Sequence, residues 1–349
     1  MVVEGAEDDS AGVLLAEAIQ ARYSQDELKT YGQFQTASLT WPAASEDETY
    51  AEPHHHGAQQ SWLLDIATAR TEFYEYPAAN PEVESSTIRQ DLYRRDFTIN
   101  AMALRLNGRC PGQLLDFFGG WSDLHQQCVR VLHANRFIED PTRIFRAVRF
   151  AMRLGFALED YTQQLIHCAH SSGIYDQLNA SDHKTPALQS RLQAELKYLL
   201  EGDWWDVALS KIDALGALVC VHRDLSMTPV LWQQMRRMHR WLHKLGEKQL
   251  VKQPGWLMLL LLLLAQLEVP NGYETAKRLN LDQKSQQQLK SLHQSEAALL
   301  DQLSQSVLPG YTYDCLQRYA QSELLLMAAR HPLTLGPQAW HYIVHLSRM

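Results

Sequence analysis

The polar side chains of one short apolar stretch are the first residues whose types suggest chemistry. In DLYRRDFTINAMAL (91–104), Arg94, Arg95, Asp96 and Asn100 stand among Phe97, Ile99, Met102 and Leu104. Guanidinium forks suit phosphate or carboxylate oxygens, and a carboxylate suits hydroxyl or amine donors. Polar groups set among apolar neighbours need partners, so this stretch asks for a polar ligand. EDPTR (139–143) holds a second pair, because Asp140 and Arg143 are a planar acceptor and a planar donor one helical turn apart. Side by side they could hydrogen-bond the edge of a nucleobase. Asp140 before Pro141 also reads as an N-cap, and the two roles are compatible.

Two further features carry charge into apolar surroundings. In SWLLDIATAR (61–70), strand alternation groups Asp65 with Leu63 and Ala67, opposite Trp62, Leu64 and Ile66. A mid-strand carboxylate there calls for a metal or a cation such as Arg70. Arg143, Arg146, Arg149 and Arg153 fall within a sector of about 120° on a helix, with Ile144, Phe145, Val148 and Met152 roughly opposite. Such a stripe is usually a solvated face with i,i+3 and i,i+4 charge pairs, but few acids accompany this one locally, which makes a triphosphate or a phosphate backbone a better candidate than for an average stripe.

The elements that must position these groups divide the chain in two. The first third reads as α/β: a helix over 10–23 capped by Ser10, strands over 33–41, 61–70 and 113–120, and one helix over 88–107. The loop 42–60 includes His54, His55 and His56, read as a solvated tip. Beyond about residue 121 helical periods dominate, beginning with 140–156, which has Pro141 at its start and Gly155 near its end. Further helices are expected over 159–170, 187–201, 204–217, 228–246, 256–268, 272–305 and 311–330. The apolar run GWLMLLLLLLAQL (255–267) is shorter than the roughly 20 residues that span a bilayer, and reads as a buried helix.

Bulk properties narrow the partners. The 349 residues carry a net charge of -8, but residues 1–52 hold eleven acids against Arg22 and Lys29, leaving the rest nearly neutral. Residues 129–153 carry six arginines against two acids, and 222–248 carry six Lys or Arg against two acids. A polyanion bound at such sites is compatible with overall acidity. The five cysteines are scattered, without metal-ligand spacing, and the acidic start lacks a basic leader. A cytoplasmic protein without a membrane span is expected; nothing points to a protein partner.

Four strings occur in order: DIATARTEFY, DLYRRDFTINAMA, LLDFFGGWSDL followed by VR, and FIEDPTRIFRAVRFAMRLGF. Together they resemble the class II tRNA nucleotidyltransferase (CCA-adding) and bacterial poly(A) polymerase family, over residues from about 2 to 220. The resemblance implies a polymerase-β-like α/β head (1–120), incomplete at its start, then an all-α neck (121–200) and a body and tail (201–349) binding tRNA. It assigns Asp96 to the NTP ribose, Arg94 and Arg95 to ribose and phosphates, and Asn100 to holding that site. Asp140 and Arg143 would select CTP or ATP, with Arg146 and Arg149 on the nucleotide. Asp116, Gly119, Gly120, Asp123 and Arg130 would form the element between head and neck. Arg191 and Glu195 would be a helix-stabilising pair, and Asp65 the third catalytic carboxylate.

One departure bears on activity. In relatives a glycine loop and a DxD pair binding two Mg²⁺ ions precede a string like LVVEG, whereas this chain opens MVVEG. Asp65 is then the one metal carboxylate present. A truncated start is the expected explanation, with little nucleotide incorporation by the chain as it stands. The implied function is template-independent addition of C, A or both to tRNA 3′ ends from CTP and ATP, releasing pyrophosphate. Poly(A) polymerase activity and a non-catalytic RNA-binding relative are the alternatives. A helical scaffold without a ligand would leave RRDFTINA and EDPTR unexplained.

Overall fold

An antiparallel hairpin organises the first third. The computed structural model describes residues 1–5, 10–23, 27–32, 35–42, 61–73, 82–173, 186–246, 253–305 and 308–346. Strands β1 (Val2–Val3), β2 (Glu27–Tyr31), β3 (Thr36–Pro42) and β4 (Ser61–Thr68) form one sheet in the order β1-β4-β3-β2. Only the β1–β4 pairing is parallel. Alternation sends Ala37, Leu39 and Ile66 to one face, where helix α1 (Ala11–Arg22) buries Ala16 against them. Gly12 permits this contact: a Cβ there would stand 2.5 Å from the carbonyl carbon of Ala67. Its N–H donates to Thr68 Oγ1 at 3.0 Å. Ser10 precedes α1 as expected, but its side chain makes no capping hydrogen bond.

The expected helix over 88–107 is three elements instead. Helix α2 (Ile88–Tyr93) starts at a capping box in which Thr87 Oγ1 accepts from Gln90 N–H and Gln90 Oε1 accepts from Thr87 N–H. A 3-10 turn (Thr98–Asn100) follows, and then a strand (Met102–Leu104) that pairs antiparallel with Leu114–Asp116. The helix cannot continue because its backbone is claimed from elsewhere. Phe97 bridges to Val131, Thr98 N–H donates to Arg130 O, and Leu132 N–H donates to Asp96 O. Asn100 therefore does not lie one α-helical turn after Asp96.

The chain separates into two compact units, Met1–Gln126 with Arg130–His133, and Gln127–Val129 with Ala134–Met349. The first is α/β and the second almost wholly helical. In the second unit, Arg136–Glu139 (α4 after Gly120–His125, α3) leads into α5 (Thr142–Leu154), which ends at Gly155 with a left-handed φ of +68°. Helix α5 packs its Ile144, Phe145 and Val148 face against the helices Pro186–Glu201 and Trp205–Ala214. The Leu-rich helix Gly255–Leu264 has every residue from Leu257 to Leu264 buried. No helix among the described residues is long and apolar enough to cross a membrane.

Two expected long helices are divided. The segment 272–305 breaks between Val269–Arg278 and Gln283–Gln305, where Asn280 takes φ +54°. The segment 311–330 breaks between Pro309–Leu316 and Gln321–Arg330, with Glu323 accepting from Ala320 N–H at the new start. The three-histidine run and the acids at 7–9 lie outside the described residues.

Candidate nucleotide and RNA sites

Each unit carries part of the chemistry. In the first, Asp65 lies on the face of the sheet opposite α1, exposed, directly across from Ser38. Ser38 donates its hydroxyl to Asp65 Oδ1 at 2.5 Å. The expected pairing with Arg70 is not formed, because Arg70 turns to Glu72 at 3.5 Å and to Thr36 Oγ1 at 3.3 Å. Among the described residues no group of three or more His, Cys, Asp or Glu could hold a metal ion. Asp65 and its surroundings do not by themselves make a two-metal centre.

The two adjacent arginines have different fates. Arg94 is clamped between acids, with Nη2 2.8 Å from Asp91 Oδ1 and Nη1 2.7 Å from Glu72 Oε1. Its Nε also donates to Arg70 O at 3.1 Å, so this guanidinium is largely committed to the fold. Burial, and then the charge of Arg94, hold Arg70 below the usual guanidinium range against the opposing pull of Glu72 and Asp91. Arg95 reaches Asp91 Oδ2 at 3.1 Å but keeps a buried Nε with no hydrogen-bond partner. It lines a cavity of about 720 Å³ together with Val3, Arg89, Asp91, Arg105 and Phe117. Three arginines around one cavity make an anion the ligand its chemistry fits. Asp91, only 1 % exposed, organises the cluster. Its spacing three and four residues before Arg94 and Arg95 was the signal that sequence reading passed over.

DFFGGWSDLHQQCVR folds into a tight knot. Asp116 accepts from the N–H groups of Phe118, Gly120 and Trp121 at 3.3, 2.9 and 2.9 Å. Gly119 takes φ +78°, and a Cβ on Gly120 would lie 2.3 Å from Thr98 O. Asp123, nearly buried, receives Arg130 Nε at 3.0 and 3.1 Å and the Thr98 hydroxyl at 2.6 Å. Burial pushes the Asp116 carboxyl up, but the hydrogen bonds from Trp121, Gly120, Phe118 and Gly119 outweigh it and hold the group below its ordinary value. A depressed folded pKa contributes stability above the unfolded value of about 4, lost as pH falls through the folded one. The stability deficit of Asp116→Asn is accordingly expected to be full above pH of about 4 and to close at lower pH. Denaturant titrations of both proteins across that range check this, and a gap that stays constant refutes it.

In the second unit, Asp140 and Arg143 frame the start of α5 and both are buried, at 6 % and 5 % exposure. Asp140 Oδ1 accepts from Thr142 N–H at 3.0 Å and from its hydroxyl at 2.6 Å, the cap anticipated from sequence. Arg143 Nη1 donates to Glu139 Oε2 at 3.1 Å and to Arg136 O at 3.2 Å. Arg191 and Glu195 do not pair along their own helix. Arg191 Nε lies 3.2 Å from Asp140 Oδ2, while its buried Nη2 has no hydrogen-bond partner. Glu195 instead takes Arg149 in a two-point bond of 2.7 and 3.1 Å, with Arg146 at 3.7 Å. The arginine stripe of α5 is therefore not an acid-free face, since its carboxylate comes from 46 residues further along. Burial raises the pKa of the Cys220 thiol, and the nearby charge of Asp140 adds to the effect. No sequence signal linked that cysteine to EDPTR.

Residues 32–130 match the poly A polymerase head domain, which gives the class of the first unit. The A-adding tRNA nucleotidyltransferase of Geobacter sulfurreducens is 34 % identical over 297 residues, covering 82 % of this chain but 30 % of that protein. This chain thus spans about a third of that relative's length. A solved CCA-adding enzyme in its apo form II superposes with a TM-score of 0.76 at 28 % identity, covering 99 % of this chain and 74 % of the other. A tRNA-processing enzyme solved with CTP gives 0.73 at 26 % identity, covering 100 % and 83 %. In its head domain and in its fold the chain resembles the class II CCA-adding tRNA nucleotidyltransferases and poly(A) polymerases.

Proposed function

We propose that this protein serves template-independent nucleotidyl transfer to the 3′ end of tRNA, reading CTP or ATP and the RNA with the residues described above. The observation that carries the reading is the start of α5. There Asp140 and Arg143 are held in place by Thr142, Arg191 and Glu139, beside a buried Arg191 Nη2 that lacks a partner. A base edge with donors and acceptors suits such a site. Asp96 would serve the ribose and Arg95 the phosphates, while Arg94 acts through its grip on Asp91. Asp65 is the carboxylate this chain offers to Mg²⁺. Residues 1–120 would act as head, 121–200 as neck and 201–349 as the tRNA-binding body and tail. Family names include both A-adding and CCA-adding enzymes, so base preference is to be measured.

RNA as the partner has separate support in the helix Pro229–Gly246. It buries Leu231, Met235, Met238 and Leu245 and exposes Arg236, Arg240, His243 and Lys244. Arg236, Arg240 and Lys244 recur every four residues, about 6 Å of rise per step. Burial and then the charge of Arg240 lower the pKa of Arg237. A tRNA transcript lacking its 3′ end should bind with strong salt dependence. Replacing Arg236, Arg240 and Lys244 together by alanine should reduce the log–log salt slope by about 2–3. Failure to bind tRNA and either nucleotide at low salt would overturn the proposed function.

A further inference from the structure

The helical unit carries an aromatic feature that the nucleotide-reading roles leave unused. Tyr198, on the outer face of the helix Pro186–Glu201, keeps 56 % of its surface exposed. Its ring is backed by Arg149, whose guanidinium carbon lies 5.2 Å from the Tyr198 centroid and 4.9 Å from that of Phe150. Arg149 cannot easily move aside, because Glu195 fixes it through two hydrogen bonds of 2.7 and 3.1 Å. Arg146 flanks the group, 6.0 Å from the Phe150 ring and with 36 % of its side chain exposed. Lys197 next along the helix keeps 47 % of its side chain exposed and sits 5.8 Å from the Trp256 ring.

A flat ring held from behind and open in front is a stacking platform. A guanidinium on one face draws electron density from the ring, and the other face remains available to a second π-system. The half-exposed Arg146, on the same helix face as Arg149, selects a π-system that carries phosphate, which describes a nucleotide within a single strand. An apolar protein partner would gain nothing from Arg146 there. We propose that Tyr198, backed by Arg149, stacks an unpaired base near the 3′ end of bound RNA, with Arg146 facing the adjoining phosphate. This rests on the reading of RNA as substrate, and assigns a base-stacking position separate from the Asp140–Arg143 turn.

A free nucleoside triphosphate shares the same chemistry, so the test has two arms. The full chain is titrated with a labelled acceptor mini-helix carrying an unpaired 3′ overhang, with its blunt counterpart, and with ATP and CTP. Tyr198→Ala should weaken the overhang complex about 5- to 100-fold, the range expected for one lost stacked base. Tyr198→Phe should retain it, and blunt-helix, ATP and CTP binding should be unchanged. Thermal melts of both variants within a few degrees of the parent, about what an exposed site allows, exclude a folding defect. Equal overhang binding by parent and Tyr198→Ala overturns the platform while leaving RNA binding intact. A loss seen only with ATP or CTP overturns the RNA assignment. Absence of RNA binding by the parent defeats the proposed function itself, and the platform with it.

Discussion

Replacing Glu195 by alanine is expected to destabilise the helical unit by about 3–5 kcal/mol, the usual cost of removing one partner from a buried ion pair. Glu195 is 6 % exposed and Arg149 keeps only 15 % of its side chain in contact with solvent. Without the carboxylate, Arg149 would stay enclosed by Phe150 and Tyr198 with its charge uncompensated, and Arg146 would lose its neighbour at 3.7 Å. In a unit of this size that corresponds to a fall in Tm of roughly 10 °C. Thermal and urea unfolding of the purified variant measure it. The double variant Glu195→Leu with Arg149→Leu should recover much of the loss, since the charge is then gone from both sides. A single-variant loss below about 1 kcal/mol would mean the pair behaves like a surface bridge.

The second large effect concerns selection among bases. Arg143→Ala should flatten the preference for ATP and CTP over GTP and UTP by about 10- to 100-fold, the worth of one good two-point contact to a base. Affinity for tRNA should change far less. Arg143 is buried, and its contacts within the protein include Glu139 and the carbonyl of Arg136. Glu139 keeps 35 % of its side chain exposed, so water can solvate it once the guanidinium is gone. The fold should therefore survive while the donor fork disappears. Equilibrium titration with the four nucleotides and with tRNA separates the two roles. Weakened tRNA binding with unchanged base preference would sink the assignment.

Much of this was legible in residue order because it depends on neighbours along the chain. The alternation of β4 placed Asp65 opposite Leu64 and Ile66, and the structure keeps that division of faces. The capping role of Asp140 follows from a side chain that reaches only two residues ahead. The Leu-rich helix reads as buried from composition alone, and is. The stretch 88–107 misled because its local helical preference is real as far as Tyr93, while pairing of 96–98 with residues near 131 claims the backbone that follows.

The chain by itself determined which residue types stand near one another over one or two turns. That was enough for the α/β-then-helical division, the cap at α5 and the identity of the candidate side chains. Tertiary structure alone decided the partner of each charge. Arg94 is committed to Asp91 and Glu72 while Arg95 faces a cavity, Asp65 meets Ser38 rather than Arg70, and Arg191 and Glu195 part to serve Asp140 and Arg149. The reason is physical: a side chain enclosed in a folded unit is neutralised by whatever packing brings within about 3 Å, and helix and sheet contacts draw those partners from distant sequence.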